Sequence, residues 1–95
     1  MGNFKMSGND LLNSSFRKVA TVRGNDILDD KFHTVARIRG NDILDERFQR
    51  VATVRGLDIY DEKSIRIASL AEVKKAIDQA MGGITVAALW LFFVL

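Results

Sequence analysis

Three stretches of the chain carry one alternation of apolar and polar side chains: Phe16–Arg23 (FRKVATVR), Phe32–Arg39 (FHTVARIR) and Phe48–Arg55 (FQRVATVR). Their Val, Ile, Thr and Phe content suits a pleated, half-buried surface, and the period of two predicts strands. Gly24-Asn25 and Gly40-Asn41 follow the first two, and Gly56 follows the third. A glycine-first pair between apolar runs predicts a two-residue hairpin loop of type I′ or II′, both of which need positive φ. Gly24, Gly40 and Gly56 are therefore structural turn residues. Short strands are predicted at Asp26–Asp29 and Asp42–Asp45, and the acidic-then-basic steps Asp30-Lys31 and Glu46-Arg47 turn the chain into the next long strand. Phe4–Ser7 reads as a further short strand leading into Gly8.

The pattern recurs every 16 residues, giving units 9–24, 25–40, 41–56 and a divergent 57–72. The second and third units share 10 of 16 residues, as do the first and third, so chance self-similarity is set aside. Such a unit is one supersecondary element that cannot bury its apolar face alone. With no helix between its strands, the pairing must be antiparallel. The expected fold is mainly β: about eight strands in a pseudo-four-fold set of hairpins, closed as a small barrel or flower, which would leave no edges.

Alternation puts Phe48, Arg50, Ala52 and Val54 on one face and Gln49, Val51, Thr53 and Arg55 on the other. Ala20, Ala36, Ala52 and Ala68 hold one repeat position, so a face turned to the symmetry axis would leave a wide spot there. The tail is the candidate filler. Ser69 and Glu72 form a capping box, and Val73, Ile77, Ala80 and Ile84 then follow at helical spacing, with Lys74 and Asp78 as a helix-compatible pair. Gly82-Gly83 predicts a break, beyond which Ile84–Leu95 is apolar on every side except at Thr85. Such a helix belongs in a core or in a membrane. Twelve residues reach only about 18 Å, and the uncharged run 79–95 only the bottom of the range that crosses a bilayer, so an internal plug is the preferred reading. Leu89, Trp90, Leu91, Phe92 and Phe93 are the side chains that would fill the core or, on the alternative reading, enter a membrane.

Ninety-five residues allow one domain, with the hairpins in 1–70 and the tail in 71–95. Fourteen basic and twelve acidic residues, interleaved, describe a mixed solvated surface, so no nucleic-acid partner is expected. Without cysteine there is neither a disulfide framework nor a cysteine zinc site. The start, MGNFKMS, lacks a signal-peptide layout, and Met6 stands where a myristoylation pattern wants Ser or Thr, so a cytoplasmic protein is expected.

Candidate chemistry is sparse. Arg23, Arg39 and Arg55 precede the turn glycines and could form a rim that holds an anion or a lipid headgroup, unless each pairs with Asp26, Asp42 or Asp58 across its own turn. The carboxylate pairs Asp29-Asp30, Asp45-Glu46 and Asp61-Glu62 each precede a Lys or Arg, which disfavours a cation, and His33 has no second histidine or cysteine to complete a metal set. No catalytic motif stands out, so neither catalytic residues nor a cofactor is assigned and no enzyme is expected.

The stretches VATVRGND (Val19–Asp26), VARIRGNDILD (Val35–Asp45) and VATVRGLDIYD (Val51–Asp61) resemble the four-fold β-flower family of small repeat proteins. That resemblance implies a shape similar to tubby C-terminal domains, in which an apolar helix threads a β-barrel, and so the same path for Ile84–Leu95. It implies no activity. Two function classes follow: a non-enzymatic scaffold or binding module whose tail completes its core, or a membrane-associated or tail-anchored protein using residues 79–95, with Lys74 and Lys75 on the cytoplasmic side. The partner is left open, and a homo-oligomer is compatible with either class.

Overall fold

The computed structural model describes residues 3–79 and 83–94. Ten strands make one sheet in the order β10-β1-β2-β3-β4-β5-β6-β7-β8-β9. β1 is Phe4–Ser7, β2 Asp10–Leu12, β3 Lys18–Arg23, β4 Asp26–Asp29, β5 Thr34–Arg39, β6 Asp42–Asp45, β7 Arg50–Arg55, β8 Asp58–Asp61, β9 Arg66–Ser69 and β10 Ile77–Asp78. Helices α1 (Leu70–Ala76) and α2 (Ile84–Leu89) and a π-helical turn, Trp90–Val94, are the other elements among the described residues.

The first nine strands form an antiparallel meander, and the predicted short strands Phe4–Ser7, Asp26–Asp29 and Asp42–Asp45 are those observed. Arg23↔Asp26, Arg39↔Asp42 and Arg55↔Asp58 close two-residue loops at Gly24-Asn25, Gly40-Asn41 and Gly56-Leu57. Each glycine has φ near +60° while the residue after it does not, which selects type II′ over type I′. Gly40 has φ +63° with no atom within 4 Å of where a Cβ would stand, so Gly40→Val would meet a conformational cost and no clash. Thermal or urea melting is expected to register a loss of about 1–2 kcal/mol. Unchanged melting would refute the turn's need for glycine.

The expected closure is not found. A flat sheet of ten strands at about 4.8 Å spacing would be about 43 Å wide, beyond the longest dimension of the molecule, 34 Å, so the sheet curls. It remains open, with β9 and β10 as its edges, and α1 leads directly from one to the other. The two strands not counted in the eight expected are β10 and the first, short β1. β10 lies parallel to β1, with Phe4↔Ile77 and Lys5↔Asp78. α1 begins at the capping box read from the sequence: Glu72 N donates to Ser69 Oγ at 3.2 Å, and Ser69 N to Glu72 Oε2 at 3.3 Å. It does not run on to Ile84, however. Ile77 leaves the helix to cover the edge of β1 and is fully buried there, so Asp78 is a strand residue and the expected helical spacing from Lys74 is broken. Ala80, Gly82 and Leu95, on which parts of the helix, hinge and tail expectations fall, lie outside the described residues, as does Gly2.

The face assignment holds for the alanines and fails beside them. Ala20, Ala36, Ala52 and Ala68 are buried and pair with Leu11, Ile27, Ile43 and Ile59, also fully buried, so large and small side chains alternate around the inner face. Each pairing is followed by a register shift: Ile43 faces Ala52, but Leu44 faces Arg50. The β-bulge at Val51 turns Arg50 to the outer face, opposite Ala52. Phe16, Phe32 and Phe48 are not in strands at all. They occupy turns at φ 61°, 65° and 64°, and all three are largely exposed.

The wide inner spot is filled. Val86, Ala87, Ala88 and Leu89 of α2 are buried in the same cluster as the alanine and isoleucine layers, and α2 packs against β5 and α1. Trp90, Leu91, Phe92 and Phe93 are half-buried against that cluster.

Candidate functional site

Of the tail residues read as core or membrane side chains, Leu89 is thus central, and the next four cover the cluster from its rim. No helix among the described residues is long and apolar enough to cross a membrane. The repeated polar groups named from the sequence lie at the two ends of the hairpins.

At the glycine ends, Arg23, Arg39 and Arg55 sit opposite Asp26, Asp42 and Asp58 in register, yet no ion pair joins them among the described residues. Each carboxylate is taken by the next long strand instead. Thr21 Oγ1 donates to Asp10 Oδ1 at 2.6 Å, and Thr53 Oγ1 to Asp42 Oδ1 at 2.7 Å. Arg37 Nε donates to Asp26 Oδ1 at 2.7 Å, and Arg66 Nε to Asp58 Oδ1 at 3.0 Å. The cross-turn pairs expected from the sequence are therefore replaced by pairs that lace neighbouring hairpins together. Three arginines are left projecting at the tips, with Arg55 Cζ 5.6 Å from the Tyr60 ring centre.

The opposite ends repeat another device. Asp29 Oδ1 accepts from Lys31 N and His33 N, both at 2.9 Å, while Phe32 N donates to Asp29 O and Asp29 N to His33 O. Asp45 and Asp61 do the same, and Asn13 does so in the first unit, bonding Ser15 N and Arg17 N. These carboxylates are thus turn-forming acceptors. Backbone donors, His33 N first, hold the Asp29 carboxyl below its usual range despite some desolvation in the other direction. His33 Nδ1 lies 4.0 Å from Asp29 Oδ2 on the exposed side of the turn. No group of three or more acidic or histidine side chains among the described residues could hold a metal ion.

The residue fourth in each of these turns has positive φ, and there sequence reasoning missed a feature. A glycine or asparagine is expected at such a position, whereas three units carry Phe, which reads as the start of a strand. Ser64, at φ 66° with the same backbone bonds around it, shows that the turn itself does not require an aromatic ring. Non-glycine residues in this conformation cost about 1–2 kcal/mol each. The rings recover part of that from cations: Lys18 Nζ is 5.0 Å from the Phe32 ring centre, and Arg37 Cζ is 4.6 Å from that of Phe48.

These features meet in one place. A cleft of about 580 Å³ opens on the outer face of β4, β5 and β6, between the Asn25 turn and Phe48, with Arg37 and Arg39 on its wall and Leu44 at its floor. Of the three rim arginines named from the sequence, it contains Arg39 and neither of the others. Comparison with protein-family models, with curated proteins and with solved structures gives no match to this chain.

Proposed function

We propose that the chain is a small, non-enzymatic β-repeat binding module, a flower-like arrangement of four hairpins whose C-terminal segment completes the core and whose outer face and hairpin tips do the binding. The observation that carries this reading is the burial of Val86, Ala87, Ala88 and Leu89 among the alanine and isoleucine layers of the sheet. Side chains committed to a core are not available to a bilayer. The resemblance of VARIRGNDILD to the β-flower family agrees with this arrangement, and a cytoplasmic location is proposed with it. The reading in which residues 79–95 anchor the chain to a membrane makes the opposite demand, because there the apolar segment must leave the sheet.

Partitioning of the intact chain separates the two. A monodisperse species in detergent-free buffer that stays in the supernatant with phosphatidylcholine vesicles is the expected result. Sedimentation with those vesicles would replace the binding-module reading with the membrane one.

A further inference from the structure

The outer face of β4, β5 and β6 departs from the 16-residue repeat along one row of side chains. Register places Asp26 beside Arg37 and Arg37 beside Leu44. The sister strands β3 and β7 carry Thr21 and Thr53 at the position of Arg37, and those hydroxyls satisfy Asp10 and Asp42. Arg37 keeps that bond through Nε and adds a guanidinium that the repeat does not need. Asp26 fixes one edge of the group and the Phe48 ring covers its face, so the Nη edge is held in place, without a protein partner among the described residues. Arg39, two residues on, shares this face by strand alternation and has no ion-pair partner among the described residues. The cleft between them falls within the size range of small-molecule sites. Leu44, at 6% exposure, gives it an apolar floor.

We propose that this cleft binds a phosphate monoester, with the phosphate on Arg37 and Arg39 and an apolar or aromatic body against Leu44 and Phe48. A single guanidinium fork satisfies both oxygens of a carboxylate, whereas a phosphate monoester brings three terminal oxygens and a charge of about −1.5 to −2. Two arginines, one of them partly offset by Asp26, match the phosphate better. The Asn25 side chain at the cleft mouth can donate to a further oxygen. This assignment rests on the binding-module reading and names the ligand class of that module. The monoester can be a soluble metabolite or the headgroup of a lipid, and the chemistry at the arginines is the same.

The test titrates the intact chain with phenyl phosphate and with inorganic phosphate, following backbone amide shifts, in the parent and three variants. Arg37→Thr installs the residue of the sister strands and leaves a hydroxyl for Asp26, so it is expected to fold. Arg39→Gln removes the second cation, and Arg23→Gln removes the equivalent arginine of another hairpin. Phenyl phosphate should shift the amides of Arg37, Arg39 and Phe48 and bind more tightly than inorganic phosphate. Arg37→Thr and Arg39→Gln should each weaken it roughly tenfold or more, with Arg23→Gln unchanged. Co-sedimentation with phosphatidylcholine vesicles containing phosphatidic acid, abolished by Arg37→Thr and unaccompanied by soluble-ester binding, would identify the lipid headgroup as the source. Equal affinity in all four proteins, an equal loss in Arg23→Gln, or no response to either phosphate or to phosphatidic acid would overturn the proposal. Failure of the core-completing tail is read separately, from vesicles of phosphatidylcholine alone.

Discussion

A chain cut after Met81 is expected to lose its fold, giving an aggregated or disordered species by size exclusion and no cooperative melting by circular dichroism. Val86 and Leu89 are fully buried, and each contributes about 1.5–3 kcal/mol on burial. Trp90, Leu91, Phe92 and Phe93 add the share of their surface that is covered. The cut also exposes what lies beneath, namely the inner ends of Leu11, Ile27, Ile43 and Ile59 with their alanine partners. Total stability for 95 residues is of the order of 5–14 kcal/mol, so the loss is comparable with the whole margin. The hairpins offer little in reserve, since a two-stranded hairpin is at best marginal in water without a covered apolar face. A monomeric, cooperatively melting β protein from the truncated chain would show that α2 only rests on a sheet that holds itself together.

Enlarging the alanine layer is expected to have the next largest effect. Ala36 and Ala52 are each 0% exposed and lie beside Ile27 and Ile43 of the neighbouring strands on the inner face, in the cluster that also receives α2. Leu at either position adds three carbons where an isoleucine and a helix already meet, and overpacking of that kind costs about 1–3 kcal/mol per site. The double variant Ala36→Leu/Ala52→Leu should melt well below either single one, because two sites that share a cluster compete for the same slack. Urea denaturation checks both numbers. A double variant as stable as the parent would mean that the alanines face an unfilled space.

Features set by a few neighbouring residues were legible in the sequence. The glycine-first loops, the short Asp-Ile-Leu-Asp strands and the Ser69–Glu72 capping box each follow from side-chain chemistry within four positions, and the structure reproduces them. What escaped depends on register or on distant partners. The bulge at Val51 leaves no mark in a pattern of alternating residues, yet it carries Arg50 across the sheet. The positive φ of Phe48 is concealed because phenylalanine is a strand-forming residue in a place where the backbone asks for glycine. Ile77 fits a helical stripe as well as it fits β10, and only the bare edge of β1 decides between them. The partners of the acidic residues were misassigned for a related reason. Asp26 has Arg23 opposite and Arg37 on the next strand, and sequence distance favours the wrong one. Arg37 was passed over in the sequence, although its departure from Thr21 and Thr53 at the same repeat position is the signal that could have found it.

The β1–β10 pairing has a bearing on assembly. Every other strand pairs with its immediate neighbour in the chain, so those contacts close short loops and can form early and independently. Phe4↔Ile77 joins residues 73 positions apart, so closing it carries a larger loop entropy than any of the hairpin contacts. Nothing in a single hairpin records how many hairpins there should be, because units 25–40 and 41–56 pair with their neighbours through identical registers. The counting is done by the last quarter of the chain: α1 has to reach from β9 back to the first strand, and α2 has to fit the hollow that results. The length of the meander is thus tied to the reach of α1 and β10, which run from its last strand back to its first.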